Sequence, residues 1–491
     1  MATTKSTEED RRPDEAYESY SRTIWQMAWP AVALNSLQVV NNILDRYFIG
    51  HLDIAALTGQ SASMTITFLL FSLAMALATG PGAIVSRAFG AGDRVEFQQA
   101  AGQSCSLAFL GGSIVAVIGA IITPFLAHIV LPQNAHAAQQ MMLHYVWIFC
   151  TALPAIYVIQ TLAASMRGIG DPKSPMWISG LQILIHIMLN YLLIFPARRI
   201  VVGGAKFVVP GFNMGLPGAA TALSLSAWIA ACIYLVYSRH TPLGSCFRLA
   251  MPSRVWSARL LKIAIPSAGQ NVLRVCSLMA FTSILAHVPH GEFAIAALGP
   301  GFSVESIMFM PAFGLAFAAS ALVGQSLGMQ KPDRAYKIGM LASHYGAIVI
   351  LALVVPVYFG ADRIATTMIE SKPSVAALER GPEAAQAETT AKLRTIQEAE
   401  TLIRWLCLTE VMFAYAMILI GALQGAGDTV RPFWIAVVSL WVLRVPLAYL
   451  FAIVLGMGTV GAWIAMSLTQ AIQGFASVYA WRLGHWRAIK V

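Results

Sequence analysis

The segment Gly168-Ile-Gly-Asp171-Pro-Lys-Ser-Pro175 recurs in the second half of the chain as Gly425-Ala-Gly-Asp428-Thr-Val-Arg-Pro432. The two copies share two glycines, an aspartate and a proline at the same spacing. Glycine and proline interrupt helices, and an aspartate side chain can close a turn on nearby backbone amides. Asp171 and Asp428 are therefore predicted to be structural turn residues, and the chain is predicted to consist of two related halves.

The composition indicates that both halves lie in a membrane. Of the 491 residues, 57% are hydrophobic and only 11% are charged, and the mean hydropathy is +0.67. Soluble domains carry about a quarter charged residues. In lipid, only helices and closed barrels satisfy their own backbone, and apolar stretches that approach about 20 residues favour helices. The net charge of +9 is not gathered in a soluble basic domain, so no nucleic-acid partner is expected.

Twelve apolar stretches are predicted to span the bilayer, six in each half. They lie near residues 25–49, 60–85, 98–126, 138–165, 175–195, 216–238, 263–288, 295–323, 336–358, 400–424, 432–455 and 458–481. An even number of spans in each half gives both halves the same orientation. The predicted fold is an all-α integral membrane protein of two six-helix bundles, related by a pseudo-two-fold axis along the membrane normal.

The predicted divisions follow from these spans. They are a tail (1–24), an N-lobe (25–238), a linker (239–262), a C-lobe (263–481) and a second tail (482–491). The one long loop between spans, 359–399, is predicted to be a solvated outer insertion, with an amphipathic surface helix as the alternative. Most Lys and Arg residues share a side with the N-terminus, so both termini are predicted to be cytoplasmic. We expect a multi-pass protein of the plasma membrane, in a bacterium the inner membrane, with no cleavable signal peptide.

The first span carries a polar face. Asn41 and Asn42 precede Asp45 by four and three residues, which places the three side chains on one side of a helix. An ionisable side chain inside the bilayer is costly and usually lines a cavity or pairs with a partner. Asp45 is therefore a candidate site for a proton or a sodium ion. The alternative is a structural role, either as a salt bridge to a nearby arginine or as a residue at the outer end of the helix.

The fifth span carries a second polar stripe, in which Gln182, His186 and Asn190 follow one another at intervals of four residues. Three aligned polar residues on an otherwise apolar helix are typical of a cavity lining. A histidine can change its charge near physiological pH, which suits proton coupling.

Three ionisable residues stand out in the second half. Arg274 and Glu410 fall inside spans, where neither is tolerated alone, so we expect them to pair across the bundle or to face the substrate cleft. The alternative for Glu410 is that it carries a proton or faces a cationic drug. Glu305 is expected to lie near the outer interface.

The sequence resembles the multidrug and toxic compound extrusion (MATE) family, and its bacterial DinF-like branch most closely, over roughly residues 20–485. The resemblance is carried by Trp29-Pro30, Asp45-Arg-Tyr-Phe-Ile-Gly50-His-Leu52, Arg87-Ala-Phe-Gly-Ala-Gly-Asp93, Arg167-Gly-Ile-Gly-Asp171-Pro-Lys-Ser-Pro175, Val323-Gly-Gln-Ser-Leu-Gly328 and Gln424-Gly-Ala-Gly-Asp428. It implies an exporter of bulky, often cationic compounds, driven by entry of a proton or sodium ion through alternating access.

The resemblance also implies an ion site in the first half. Asp45 matches the branch's span-one aspartate and Thr221 matches its span-six threonine. The branch has an asparagine and an aspartate where this chain has His186 and Asn190, so the second carboxylate is missing. A second branch uses a glutamate where this chain has Arg274, eight residues after the span-seven proline. These departures favour proton over sodium coupling, and Arg274 argues against a strictly cationic substrate range.

The predicted function is therefore ion-coupled efflux of small organic substrates, without a cofactor. The protein is expected to be a monomer whose other partners are membrane lipids. Sodium at Asp45 is the only metal ion that the sequence suggests, because no Cys/His cluster has metal-ligand spacing. The first alternative is a flippase for lipid-linked sugars, which a cationic cleft containing Arg274, Arg404 and Arg444 would favour. The second is a lipid-modifying membrane enzyme, for which the sequence offers no catalytic motif, so the protein is not expected to be an enzyme.

Overall fold

The computed structural model describes residues 13–52, 54–131, 135–202, 205–247, 251–369, 372, 378–379 and 381–489. This part of the chain is almost entirely helical, and each predicted span coincides with a helix. The twelve long helices are α1 (Pro13–Gly50), α2 (Ile54–Ala91), α3 (Arg94–Val130), α4 (His136–Gly168), α5 (Lys173–Ile194), α6 (Gly215–Ser238), α7 (Arg254–Ala286), α8 (Gly291–Gly328), α9 (Pro332–Phe359), α11 (Pro382–Gly425), α12 (Val430–Val454) and α13 (Gly458–Leu483).

Shorter elements fill the connections. Helix α10 (Ala361–Met368) follows α9, and strands β1 (Pro196–Val202) and β2 (Ala205–Phe212) form an antiparallel hairpin between α5 and α6. Two 3-10 turns cover Gly244–Phe247 and His485–Ala488. Helix α12 contains two π-helical segments, Val437–Arg444 and Leu450–Val454.

Nine helices in the described residues are long and apolar enough to cross a bilayer by length and composition. The other three long helices, α1, α7 and α13, carry more polar side chains. Several boundaries differ from the sequence-based ones. Helix α1 begins within the predicted tail, α7 begins within the predicted linker, and α11 extends the tenth span back to Pro382, so the second half of the 359–399 segment is helical.

The repeated motif has the same conformation in both halves. Gly170 and Gly427 both adopt left-handed backbone angles, with φ of 86° and 84°, which favour glycine. Asp171 accepts a hydrogen bond from the backbone N–H of Ser174, and Asp428 accepts one from the N–H of Arg431. The two aspartates therefore close the turns between spans, as the sequence predicts.

The N-terminal halves of two equivalent helices each pack against the opposite bundle. Ile24 and Met27 of α1 pack in the apolar core of the second bundle. Leu260 and Ile263 of α7 pack in the core of the first bundle. Because α1 opens the first half and α7 opens the second, this reciprocal packing is the structural expression of the two-fold relation.

The bundles meet most closely at one end, here called the closed end, which consists of Ser86–Gly90, Gly168–Gly170 and Gly324–Gly328. A Cβ atom on Gly90 would collide with the carbonyl oxygen of Gln325, and one on Gly328 would collide with that of Arg87. Gln325 also donates a 2.8 Å hydrogen bond from Nε2 to the carbonyl of Gly168. The motif residues that resemble a family signature therefore join the two bundles backbone to backbone.

We expect Gly328→Ala to lower the apparent melting temperature of the purified protein, because a methyl group there meets backbone that cannot move aside. Overpacking of this kind costs about 1–3 kcal/mol. The matched control is Gly299→Ala in the same helix, where nothing lies within 4 Å of the added carbon. An equal drop in both variants would contradict a specific contact at Gly328.

Candidate functional site

Helices α1 and α5 bring three of the predicted site residues together. His186 Nε2 lies 3.1 Å from Asp45 Oδ1, and Asn190 Nδ2 donates to the same oxygen at 2.6 Å. His186 Nε2 and Asn190 Nδ2 are themselves 3.1 Å apart. The four-residue spacing on α5 aligns His186 and Asn190 on one face, and the polar face of α1 meets it.

Asn41 completes this cluster from the same helix as Asp45. Its side-chain amide donates a 3.3 Å hydrogen bond to Asp45 Oδ2. Asn41, His186 and Asn190 are 4%, 5% and 1% exposed, whereas 21% of the Asp45 side chain is accessible. The carboxylate is therefore held by buried side chains and is itself only partly buried.

Three predicted residues lie outside this set of hydrogen bonds. Asn42 is exposed and Gln182 is half-buried. Thr221 donates its hydroxyl to the carbonyl of Pro217 on its own helix, at 2.8 Å. In the described residues the Asp45 carboxylate is thus bonded by Asn41, His186 and Asn190, and not by Thr221.

Sequence reasoning missed one neighbour. Tyr145 of α4 lies close enough to Asp45 for the two groups to interact electrostatically. No periodic polar pattern marks Tyr145 in the sequence, because its helix is otherwise apolar on the side that faces the cluster.

The cluster has unused hydrogen-bonding capacity. The buried atoms Asn41 Oδ1, Asn190 Oδ1 and His186 Nδ1 have no hydrogen-bond partner in the described residues. Amide and carboxylate oxygens are ligands that hard cations accept, whereas an imidazole nitrogen is a poorer one. The oxygen atoms could hold a sodium ion, but the imidazole between them suits a proton better.

The expected pair of Arg274 and Glu410 is not formed. Both carboxylate oxygens of Glu410 are buried and lack a hydrogen-bond partner in the described residues, and Arg274 Nε lacks one too. Glu305, expected at the interface, is instead 7% exposed and accepts a 3.0 Å hydrogen bond from Gln470. The charges of Arg274 and Arg444 both act on Glu305. The reason is geometric, since sequence does not fix which helices face each other inside a bundle.

Comparison with known proteins identifies the family. The MatE family model matches residues 30–192 and 266–450, which is most of both bundles. This chain belongs to the MATE family. It is 26% identical over 458 residues to a probable multidrug resistance protein NorM of Thermotoga maritima, covering 92% of this chain and 90% of that protein. It is also 24% identical over 339 residues to an FAD transporter of Shewanella oneidensis, covering 68% and 71% of the two chains.

The fold of this MATE protein matches solved structures. A MOP-superfamily transporter from Pyrococcus furiosus superposes with a TM-score of 0.80 at 18% identity, covering 94% of this chain and 95% of that one. The predicted family and the twelve-helix, two-bundle fold are therefore confirmed. The roles of the site residues stay predictions.

We expect Asn190→Asp to create a sodium-responsive site. The new carboxylate would lie beside Asp45, and two like charges in contact favour a cation or a shared proton between them. Sodium chloride should raise the melting temperature of this variant more than that of the wild type, with choline chloride as the ionic-strength reference. The matched control is Asn42→Asp, on the exposed side of α1. Equal sodium responses in the two variants would contradict the assigned geometry.

Proposed function

We propose that this MATE protein is a secondary active exporter that exchanges a proton for an organic compound by alternating access. The observation that supports the proposal best is the contact between Asp45 and His186, enclosed by Asn41 and Asn190. When an aspartate and a histidine in contact gain or lose one proton, the net charge of the pair changes by one. Charge is costly inside a bilayer, so that proton biases how the bundles are arranged around the site.

The partners of Asp45 favour this interpretation over a structural salt bridge. Its ion-pair partner is a titratable imidazole, whereas the adjacent Arg46 is exposed. A permanent guanidinium partner would keep the pair neutral at every physiological pH. A histidine partner does not, because an imidazole can gain or lose a proton, whereas a guanidinium cannot lose one.

The closed end supplies the other requirement of alternating access, a barrier on one side. It lies at the end of the molecule where α1 begins. Arg87, in the closed end, also donates a 2.6 Å hydrogen bond to the carbonyl of Ile489, near the C-terminus. With both termini in the cytoplasm, this state is closed to the cytoplasm, and Asp45, near the other end of α1, is reached from outside. We place the protein in the bacterial plasma membrane as a monomer.

The relatives indicate which class of substrate this protein transports. The Thermotoga maritima relative is a probable multidrug resistance protein, and the Shewanella oneidensis relative is an FAD transporter. We infer that organic compounds bind between the bundles, and we assign no cofactor to the cycle.

We expect Asp45→Asn to abolish gradient-driven export in proteoliposomes loaded with a fluorescent dye. Dye movement against its own gradient should follow an imposed proton gradient in the wild type, and a sodium gradient of equal size should act no better than potassium. Coupling between two sites in one protein is typically worth about 5–150-fold, so we expect gradient-driven export to fall by at least that order. His186→Gln should lose the coupling while it retains dye binding.

The matched control is Asp362→Asn, an exposed carboxylate on α10, which should export as the wild type does. Full export with intact proton coupling in Asp45→Asn would refute the assigned site. If export by the wild type depends on a sodium gradient alone, the coupling ion at these residues is sodium and not a proton.

A further inference from the structure

Two half-buried arginines of the second bundle have no ion-pair partner in the part of the chain that the structure describes. Arg274 of α7 and Arg444 of α12 form no ion pair with a carboxylate among the described residues. Arg444 donates from Nε to Thr469 at 3.0 Å, and Arg274 Nε is buried without a partner. A charged side chain at this depth is costly. That such a charge is present without a partner indicates that another group pairs with it at some stage of the transport cycle.

The position of Arg274 follows from a polar stripe on α7. Ser267 accepts a 3.2 Å hydrogen bond from Thr79, and Asn271 donates a 3.1 Å hydrogen bond to the carbonyl of Ser72. Both partners belong to α2 in the first bundle. Ser267, Asn271 and Arg274 are spaced by four and three residues and so share one helix face. Arg274 therefore follows Ser267 and Asn271 on the same face of α7. It lies farther from the closed end than the two residues that contact the first bundle.

Arg444 is brought to the same region by α12. Ser277 of α7 donates to the carbonyl of Leu440 at 3.0 Å, and Trp441 donates to the carbonyl of Leu273 at 3.0 Å. These bonds hold the π-helical segment that ends at Arg444 against α7. Segments of π-helix are frequent at functional sites. The charges of Arg274 and Arg444 act on each other as well as on Glu305.

The nearby carboxylates leave the region positive. Glu305 acts on both arginines but is hydrogen-bonded to Gln470, not to either guanidinium. Glu410 is 0% exposed and has no donor to either oxygen in the described residues. An ionised carboxylate without a partner costs several kcal/mol to bury, so Glu410 is expected to carry its proton in this state. Two positive charges then face one negative charge.

We propose that Arg274 and Arg444 bind an anionic group, a carboxylate or a phosphate, of the compound that this protein transports. This inference rests on the proposed export function and names a substrate class for the cleft. A guanidinium offers a planar set of N–H donors that matches the oxygens of a carboxylate or phosphate. Anionic groups enter the second bundle while the proton is carried in the first, so substrate and ion occupy different bundles.

Two xanthene dyes of opposite charge test this inference. Fluorescein and rhodamine 6G share one ring system, so a difference between them reports charge. Binding of each dye to the purified protein is measured by fluorescence anisotropy, and export of each is measured in proteoliposomes. We expect Arg274→Gln to weaken fluorescein binding about tenfold to a hundredfold, the usual worth of hydrogen bonds to charged groups, and to leave rhodamine binding unchanged or tighter.

Further variants separate this role from folding. Arg274→Lys should retain part of the fluorescein affinity, and Arg444→Gln should weaken fluorescein binding as Arg274→Gln does. The matched control is Arg404→Gln, since Arg404 is exposed and pairs with Glu400 of its own helix at 2.8 Å. It should bind both dyes as the wild type does.

The outcomes distinguish this inference from the export function. Export of rhodamine without any binding of fluorescein would leave the exporter standing and overturn the anion site. Equal weakening of both dyes in Arg274→Gln would also overturn it. Fluorescein binding that depends on Arg274, without gradient-driven movement of either dye, would support the site and overturn the exporter. Displacement of fluorescein by phosphatidylglycerol but not by citrate would support the site and identify a lipid headgroup as its anion.

Discussion

The backbone contact between α2 and α8 at the closed end is the constraint on which the arrangement of the two bundles depends. Gly90 and Gly328 let the two helices approach so closely that any side chain at either position would collide with the opposing backbone. The N-terminal halves of α1 and α7 each pack into the core of the other bundle. While this end is closed, the bundles can be apart only at the other end, where the Asp45 side chain is partly accessible.

The two bundles share a fold but differ in the charges they enclose. The first holds one carboxylate, Asp45, against an imidazole and two amides. The second holds two guanidiniums and two carboxylates with no ion pair between them among the described residues. Because buried charge in lipid is retained only at a cost, each set indicates a separate task. The proposed division assigns the proton to the first bundle and an anionic part of the substrate to the second.

Much of this could be predicted from the sequence, because lipid restricts the chain to helices and because spacing along one helix is readable. The twelve helices, the turns at Asp171 and Asp428, and the common face of His186 and Asn190 all follow from local pattern. Contacts between helices do not. The supposed pairing of Arg274 with Glu410 was wrong because the rotation of each helix about its axis decides which side chains meet. The burial of Glu305 escaped prediction for the same reason.

The central claim is that protonation at Asp45 controls how the bundles are arranged at the closed end. The most direct test is the distance between spin labels at Val95 and Met329, exposed residues on either side of that end, measured by double electron–electron resonance. The exposed cysteines Cys232 and Cys276 would first be replaced by serine. The account predicts that the distance distribution of the wild type changes with pH and that Asp45→Asn shows one distribution throughout. A pH response in Asp45→Asn equal to that of the wild type would contradict it.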